Sequence, residues 1–284
     1  MNNPTMRGKH CVITGGNSGI GKATALALAD LGANIILVCR DEAKGEAAVA
    51  DIQRRSNNKA ISLINADLAS LESVRELAAT LNDRLDQLDV LINNAGVMCE
   101  KRATSVDGFE LQWAVNHLAP LLLTRLLQAP LARAKGRVVN VSSQVHRMGL
   151  IQFDDLQWQQ KYKMFKSYGQ SKLALIMCSN KLSEAWQPLG ITINCLHPGV
   201  IATNLGGTPK LMKLFLSGPD KGARTSVYLA SSAEVEGITG GYFLNCKASK
   251  PSAATKNEAD LERLWTISSE MIGLPEALDS AVAA

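Results

Sequence analysis

The chain reads as an α/β protein: a doubly wound, mainly parallel sheet of seven strands with helices on both faces. Three observations predict this. Short apolar runs at 10–14, 35–39, 60–65 and 88–92 alternate with longer segments of helical character, the rhythm of strands buried on both faces. The first run ends at Gly15-Gly16-Asn17-Ser18-Gly19-Ile20-Gly21, and an Ala- and Leu-rich helical stretch follows it. Finally, the 284 residues show no repeat, low-complexity linker or composition break, and 46% are hydrophobic, enough for one sizeable core. A single domain over 1–284 is expected, with a first half near 8–145 and a second near 146–275.

Composition excludes several classes. A net charge of +4 is spread without any block of like charges, which argues against nucleic acid or an anionic membrane as partner. Residues 1–10 are polar and form no signal-peptide core or anchor, and the apolar stretch 118–132 is broken by Arg125 and two prolines, so no membrane span is expected. The cysteines at 11, 39, 99, 178, 195 and 246 never reach C-x-x-C spacing and read as reduced thiols in a cytoplasmic core. His10, His117, His146 and His197 lack ligand spacing, so no metal is implied.

In order, His10-Cys11-Val12-Ile13-Thr14 is a buried strand. The glycine turn after it opens the helix over 22–31, a context in which backbone approaches a pyrophosphate and its charge rests on a helix N-terminus. Gly32 ends that helix. Residues 35–39 form the second strand, closed by Arg40-Asp41. An acid at this point suits the ribose hydroxyl of NAD, an Arg the 2′-phosphate of NADP. Arg40 comes first, which favours NADP(H) over NAD(H), while Asp41 suits the N-cap of a helix over 42–55. Residues 60–65 make a third strand ending near Asp67-Leu68, and a helix capped by Ser70 runs over 70–85. The strand 88–92 leads into Asn93-Asn94-Ala95-Gly96.

By this point the chain resembles the short-chain dehydrogenase/reductase family. The resemblance rests on Thr14-Gly15-(x)3-Gly19-Ile20-Gly21, Asn93-Asn94-Ala95-Gly96, Asn116, Ser143, Tyr168-(x)3-Lys172 and Pro198-Gly199, in the family's order. Within it, Val115-Asn116-His117-Leu118, Asn140-Val141-Ser142-Ser143 and Tyr168-Gly169-Gln170-Ser171-Lys172 are most similar to the retinol-dehydrogenase-like and WW-domain-oxidoreductase-like branch. The resemblance implies a Rossmann-type fold. It also implies cofactor binding by Gly15, Asn17, Ser18, Gly19, Ile20, Gly21, Arg40, Asp67, Leu68, Asn94, Ala95, Gly96, Tyr168, Lys172, Pro198, Gly199, Ile201 and Thr203.

The remaining elements carry the chemistry. A long helix is expected over 106–132. Pro120 has no N–H for the carbonyl of Asn116, so that carbonyl is either freed for the water relay the family places there or lost to a plain kink. The fifth strand, 137–141, ends at Ser142-Ser143, and the resemblance makes Ser143 the hydroxyl on the substrate carbonyl. Residues 146–167, with Phe153, Trp158 and Phe165, read as an insertion that either flanks the substrate pocket or packs on the core.

Tyr168 and Lys172 share one face of a helix over 168–187, one turn apart. A cation near a phenol favours the phenolate and lowers a pKa that starts near ~10, giving a tuned proton donor. Tyr162 and Lys166 repeat the spacing but lack the apolar stripe Leu173, Ile176, Met177 and Leu182, so Tyr162 is read as the decoy.

Residues 191–196 form the sixth strand, before the turn 197–203 that by resemblance packs on the nicotinamide. Residues 205–217 suit either a mobile apolar lid or a small docked helix. A helix over 221–231, a seventh strand over 241–244 and a helix over 257–272 close the chain.

The expected activity is NADP(H)-dependent interconversion of a bulky apolar ketone or aldehyde with its alcohol. Tyr168 is its acid/base, with Ser143, Lys172 and Asn116 in support. A cofactor-binding sensor without turnover and a C=C reductase are the rivals, and the resemblance suggests a homodimer or homotetramer paired through the two long helices.

Overall fold

The computed structural model describes residues 5–199 and 218–278. Val200, Ile201, Thr203 and the expected lid at 205–217 lie outside them. One sheet takes strands from both halves of the sequence, in the order β3-β2-β1-β4-β5-β6-β7-β8. These are β1 His10–Thr14, β2 Asn34–Cys39, β3 Ile61–Asn65, β4 Val90–Asn93, β5 Arg137–Val141, β6 Thr192–His197, β7 Tyr242–Leu244 and β8 Lys247–Ser249. All pairs are parallel except β7–β8. Among the described residues the expected seven strands are therefore eight. The extra strand was invisible because it is three residues long, polar and set off by a tight turn through Asn245 and Cys246, both at positive φ.

Period-2 alternation sorts each strand's side chains onto two cores. Val12, Ile36, Val38, Leu91, Val138 and Ile193 face one layer, with α3 (Leu71–Arg84), α5 (Ala119–Leu126), α7 (Met164–Ala185) and α9 (Glu258–Met271). Cys11, Ile13, Ile35, Leu37, Ile92, Val139 and Leu196 face the other, with α1 (Gly19–Asp30), α2 (Glu42–Ser56) and α8 (Pro219–Ser231). Strands that are apolar throughout are the consequence of cover on both sides. Asp41 and Ser70 cap α2 and α3 as expected, accepting from Lys44 N and Ser73 N.

Two helices depart from expectation. The one expected over 106–132 begins only at Leu111. Gly108 turns at φ 87°, Thr104 bridges Glu110, and the Glu110 carboxylate caps Gln112 N and Trp113 N. It then runs as α4 (Leu111–Trp113), a π-helical turn Ala114–Leu118, α5, and a separate α6 (Gln128–Ala134). The π turn, with Ala119 N–H on Ala114 O, sits immediately before Pro120, whose missing N–H breaks the regular ladder. Conversely, α7 starts at Met164, four residues before its expected start, so Tyr168 lies in its second turn.

The two long helical stretches pack against α9 within the chain. Arg125 and Lys181 lie over the Trp265 ring of α9, and His117 Nε2 meets Ser268 Oγ at 2.9 Å. Among the described residues no helix is long and apolar enough to cross a membrane.

Candidate active site

A cavity of about 630 Å³ opens at the C-terminal ends of β1, β4 and β5, where the strand order reverses and open α/β sheets take their ligands. Its floor is the glycine turn. Gly15 and Gly19 take positive φ, and a Cβ at Gly21 would stand 2.3 Å from Gly15 O and 2.4 Å from Asn94 Nδ2. Only a bare backbone packs there, which leaves the turn open beneath the α1 N-terminus for a pyrophosphate. A dinucleotide therefore fits this cradle.

Gly15, Asn17, Ser18, Gly19, Ile20, Gly21, Arg40, Asp67, Leu68, Asn94, Ala95, Gly96, Ser143, Tyr168, Lys172, Pro198 and Gly199 all line the cavity. Ile201 and Thr203 lie outside the described residues. Asn116 does not line it. Its amide instead clasps Val97, Oδ1 accepting from Val97 N at 2.8 Å and Nδ2 donating to Val97 O at 2.9 Å, with a further contact to Ser171 Oγ at 3.1 Å. Asn116 Oδ1 and Lys172 Nζ converge on Gly96, standing 3.2 and 3.4 Å from where a Cβ would lie. The backbone carbonyl of Asn116 would take its α-helical partner from Pro120, which has none.

Thr14 was seen in the sequence only as part of a motif, yet it joins the two halves of the floor. Its hydroxyl accepts from Asn94 N at 3.0 Å and Ala95 N at 3.1 Å, while Asn94 Nδ2 donates to Thr14 O at 2.8 Å. Lys44, beside Arg40 at the outer rim, is paired with Asp41. His197, Val141 and Val97 also line the wall. Lys44 and Val97 carry no sequence signal, because a helix cap and a loop place them, while Val141 and His197 lie in stretches the resemblance already named.

Tyr168 is buried, and burial pushes its phenol up to about 12, with a hydrogen bond from the Ser143 side chain pulling the other way. This corrects the expected fall. Lys172 is buried as well, which brings its own value down to about 8, and its ammonium is tied to Val141 O at 2.9 Å. Desolvation, which disfavours each charged form, is the largest cause of both shifts.

Tyr162 stands apart, as expected of the decoy, but it is no idle surface phenol. It donates to Cys99 O at 2.7 Å and accepts from Gln112 Nε2 at 2.8 Å. Gln112 also reaches Ser167 Oγ at 2.9 Å, and Ser167 donates to Glu110 at 3.1 Å. Burial raises the Glu110 carboxyl. This cluster fastens the 146–167 segment and the start of α7 to the loop above Asn116. Among the described residues no His, Cys, Asp and Glu gather as a metal site, and all six cysteines are free.

The short chain dehydrogenase family profile matches residues 9–211. Retinol dehydrogenase 13 of Homo sapiens is 43% identical over 285 residues, covering 95% of this chain and 86% of the relative. Retinol dehydrogenase 14 of Homo sapiens is 41% identical over 294 residues, covering 95% and 88%. A crystal structure of an uncharacterized protein from Mycobacterium Paratuberculosis superposes with a TM-score of 0.81 at 33% identity, covering 98% of each chain. With the fold, the glycine cradle and the tyrosine–lysine helix in one cavity, this chain belongs to the short-chain dehydrogenases, oxidoreductases that work with a nicotinamide cofactor.

Proposed function

We propose that the protein is an NADP(H)-dependent oxidoreductase that interconverts a bulky apolar ketone or aldehyde with the corresponding alcohol. The observation that carries this reading is the convergence of Tyr168, Ser143 and Lys172 on one wall of the cavity whose floor is the glycine cradle. When bound, the nicotinamide supplies or accepts the hydride. The chain's residues handle the proton and the charge.

Tyr168, on the cavity wall beside Ser143, gives its proton to the substrate oxygen during reduction and retrieves it during oxidation. Ser143 hydrogen-bonds the same oxygen as charge develops on it, a donor fixed before the reaction begins. Lys172 favours the phenolate whenever Tyr168 has lost its proton, and Asn116 shapes the loop at Val97 and Gly96 against which the lysine lies. Arg40 is exposed on the cavity rim at the end of β2, where a 2′-phosphate would sit, and its charge favours NADP(H).

The apolar substrate class is supported by the surroundings of Tyr168. Gly149 packs against Gly169, and the residues on either side of it, Met148 and Leu150, are exposed hydrophobics, as is Phe165 one turn before Tyr168 on α7. The names of the similar retinol dehydrogenases point to long apolar alcohols of the same kind. We read the chain as a single working domain.

The test is incubation with NADPH or NADH and a panel of hydrophobic aldehydes and ketones, retinal and steroid ketones included. Nucleotide oxidation with alcohol as product is expected. Binding without turnover across the panel would instead favour a sensor, and a saturated carbonyl product would move the hydride to C=C.

A further inference from the structure

The peptide unit joining Ser143 to Gln144 is gripped at both ends by imidazoles. Its carbonyl, on Ser143, lies 2.5 Å from His146 Nδ1. Its N–H, on Gln144, donates to His197 Nδ1 at 3.3 Å. The partners dictate both tautomers. Ser252 N–H donates to His146 Nε2 at 2.9 Å, so that nitrogen carries the lone pair and Nδ1 carries the proton given to Ser143 O. His197 is the converse: its Nδ1 accepts, which puts its proton on Nε2. His146 is completely buried and His197 nearly so. His146 is also tilted against the Tyr242 ring, 5.0 Å between centroids.

We propose that His146 and His197 are positioning residues that fix the plane of this peptide and thereby aim the Ser143 hydroxyl at Tyr168. The proposal rests on the reading of Ser143 and Tyr168 given above. Ser143 has ψ 152°, the torsion that sets the direction of its carbonyl, and its Oγ accepts from Val145 N at 3.2 Å in the 3-10 turn Gln144–Met148. Rotating the peptide plane would swing that turn and its N–H relative to the serine side chain. Three separate pieces of chain hold the plane still: β6 through His197, β7 through Tyr242, and the segment after β8 through Ser252. His146 reaches the carbonyl from within the same 3-10 turn, whereas His197 lies 53 residues from Gln144, and no spacing rule brings it there.

The grip requires neutral rings. A second proton on His197 Nδ1 would face the Gln144 N–H, and one on His146 Nε2 would face the Ser252 N–H. Burial opposes a charge on both rings, reinforced by Arg147 at His146 and by His146 at His197. The Tyr242 phenol ring from β7 packs against His146, and Tyr168 and Lys172 from α7 line the same cavity as His197.

Two measurements decide it. Long-range ¹H–¹⁵N spectra of the full chain should show His146 as the Nδ1–H tautomer and His197 as the Nε2–H tautomer, both still neutral near pH ~6.5 where a free imidazole is half protonated. The opposite tautomers, or half protonation there, would overturn the proposal whether or not any variant folds. In turnover with NADPH and the best carbonyl of the panel, His146→Leu and His197→Leu should each lower kcat by about 10–100-fold. His146→Asn and His197→Asn, which place an amide N or O where Nδ1 stood, should recover most of the loss. NADPH affinity should be unchanged in the His146 variants. Wild-type kcat in folded Leu variants, or no recovery in the Asn variants, would refute the positioning role while leaving the enzyme reading intact. A wild-type protein without turnover would instead defeat the reading of the site, and the positioning role with it.

Discussion

Lys172 Nζ stands 5.8 Å from the centroid of the Tyr168 ring and donates to the Val141 carbonyl at 2.9 Å. The two side chains share a burial that works on them in opposite senses, up to about 12 for the phenol and down to about 8 for the ammonium. A phenol so raised is a weaker acid than free tyrosine, so it parts with its proton only to an oxygen on which negative charge builds.

Removing that proton donor should cost turnover and little else. Tyr168→Phe is expected to lower kcat by about 10²–10⁴-fold, with NADPH affinity within a few-fold of wild type. Steady-state kinetics beside a fluorescence titration of NADPH measures both, and an unchanged kcat would remove Tyr168 from its role.

The same substitution at the other tyrosine should do the reverse. Tyr162→Phe takes the donor from Cys99 O and the acceptor from Gln112 Nε2 inside a part-buried cluster, at about 1–3 kcal/mol. Urea unfolding should register that loss, with substrate KM rising and NADPH affinity holding. Equal stability of the two Phe variants would show that the Glu110–Gln112–Tyr162 cluster anchors nothing.

At the cradle, Gly21→Ala would drive a methyl into Gly15 O and Asn94 Nδ2, backbone and anchored amide that cannot step aside. Destabilisation of at least about 1–3 kcal/mol is expected, together with loss of NADPH binding. Thermal unfolding with and without nucleotide reads both effects.

Cofactor choice should turn on Arg40. Arg40→Asp replaces a cation at the cavity rim with an anion, and loss of a charged hydrogen bond of about 1.5–3 kcal/mol corresponds to roughly 10–100-fold weaker NADPH binding. NADH binding, with no 2′-phosphate to repel, should be far less affected. Equal weakening of both nucleotides would place the 2′-phosphate elsewhere.

His117 predicts an acid limit to stability. Burial holds its imidazole down to about 3, against 6.5 for the free group. The unfolded chain therefore binds a proton below pH 6.5 that the folded chain refuses, so stability is full above 6.5 and falls as pH drops toward 3. This one group contributes a slope of about 1.4 kcal/mol per pH unit. His117→Gln should flatten the fall in urea unfolding measured across that range, and an unaltered slope would show that His117 is protonated in the folded chain.

The sequence by itself determined the seven parallel strands of the sheet, the glycine cradle and the order in which the site residues arrive. These are local or periodic signals: apolar runs buried on both faces, a turn only glycine can make, a phenol and an amine one helical turn apart. The position of Arg40 at the end of β2 and the capping role of Asp41 were legible for the same reason. Tertiary structure decided whatever depends on burial or on contacts across the chain. It showed Tyr168 raised where neighbour spacing alone implied a fall, because desolvation is a property of the packed interior and has no signature in i, i+4 spacing. It turned the decoy Tyr162 into an anchor through partners 50 and 63 residues away. It also brought His146 and His197 to the two ends of one peptide bond, a meeting that only the register of β5 against β6 could arrange.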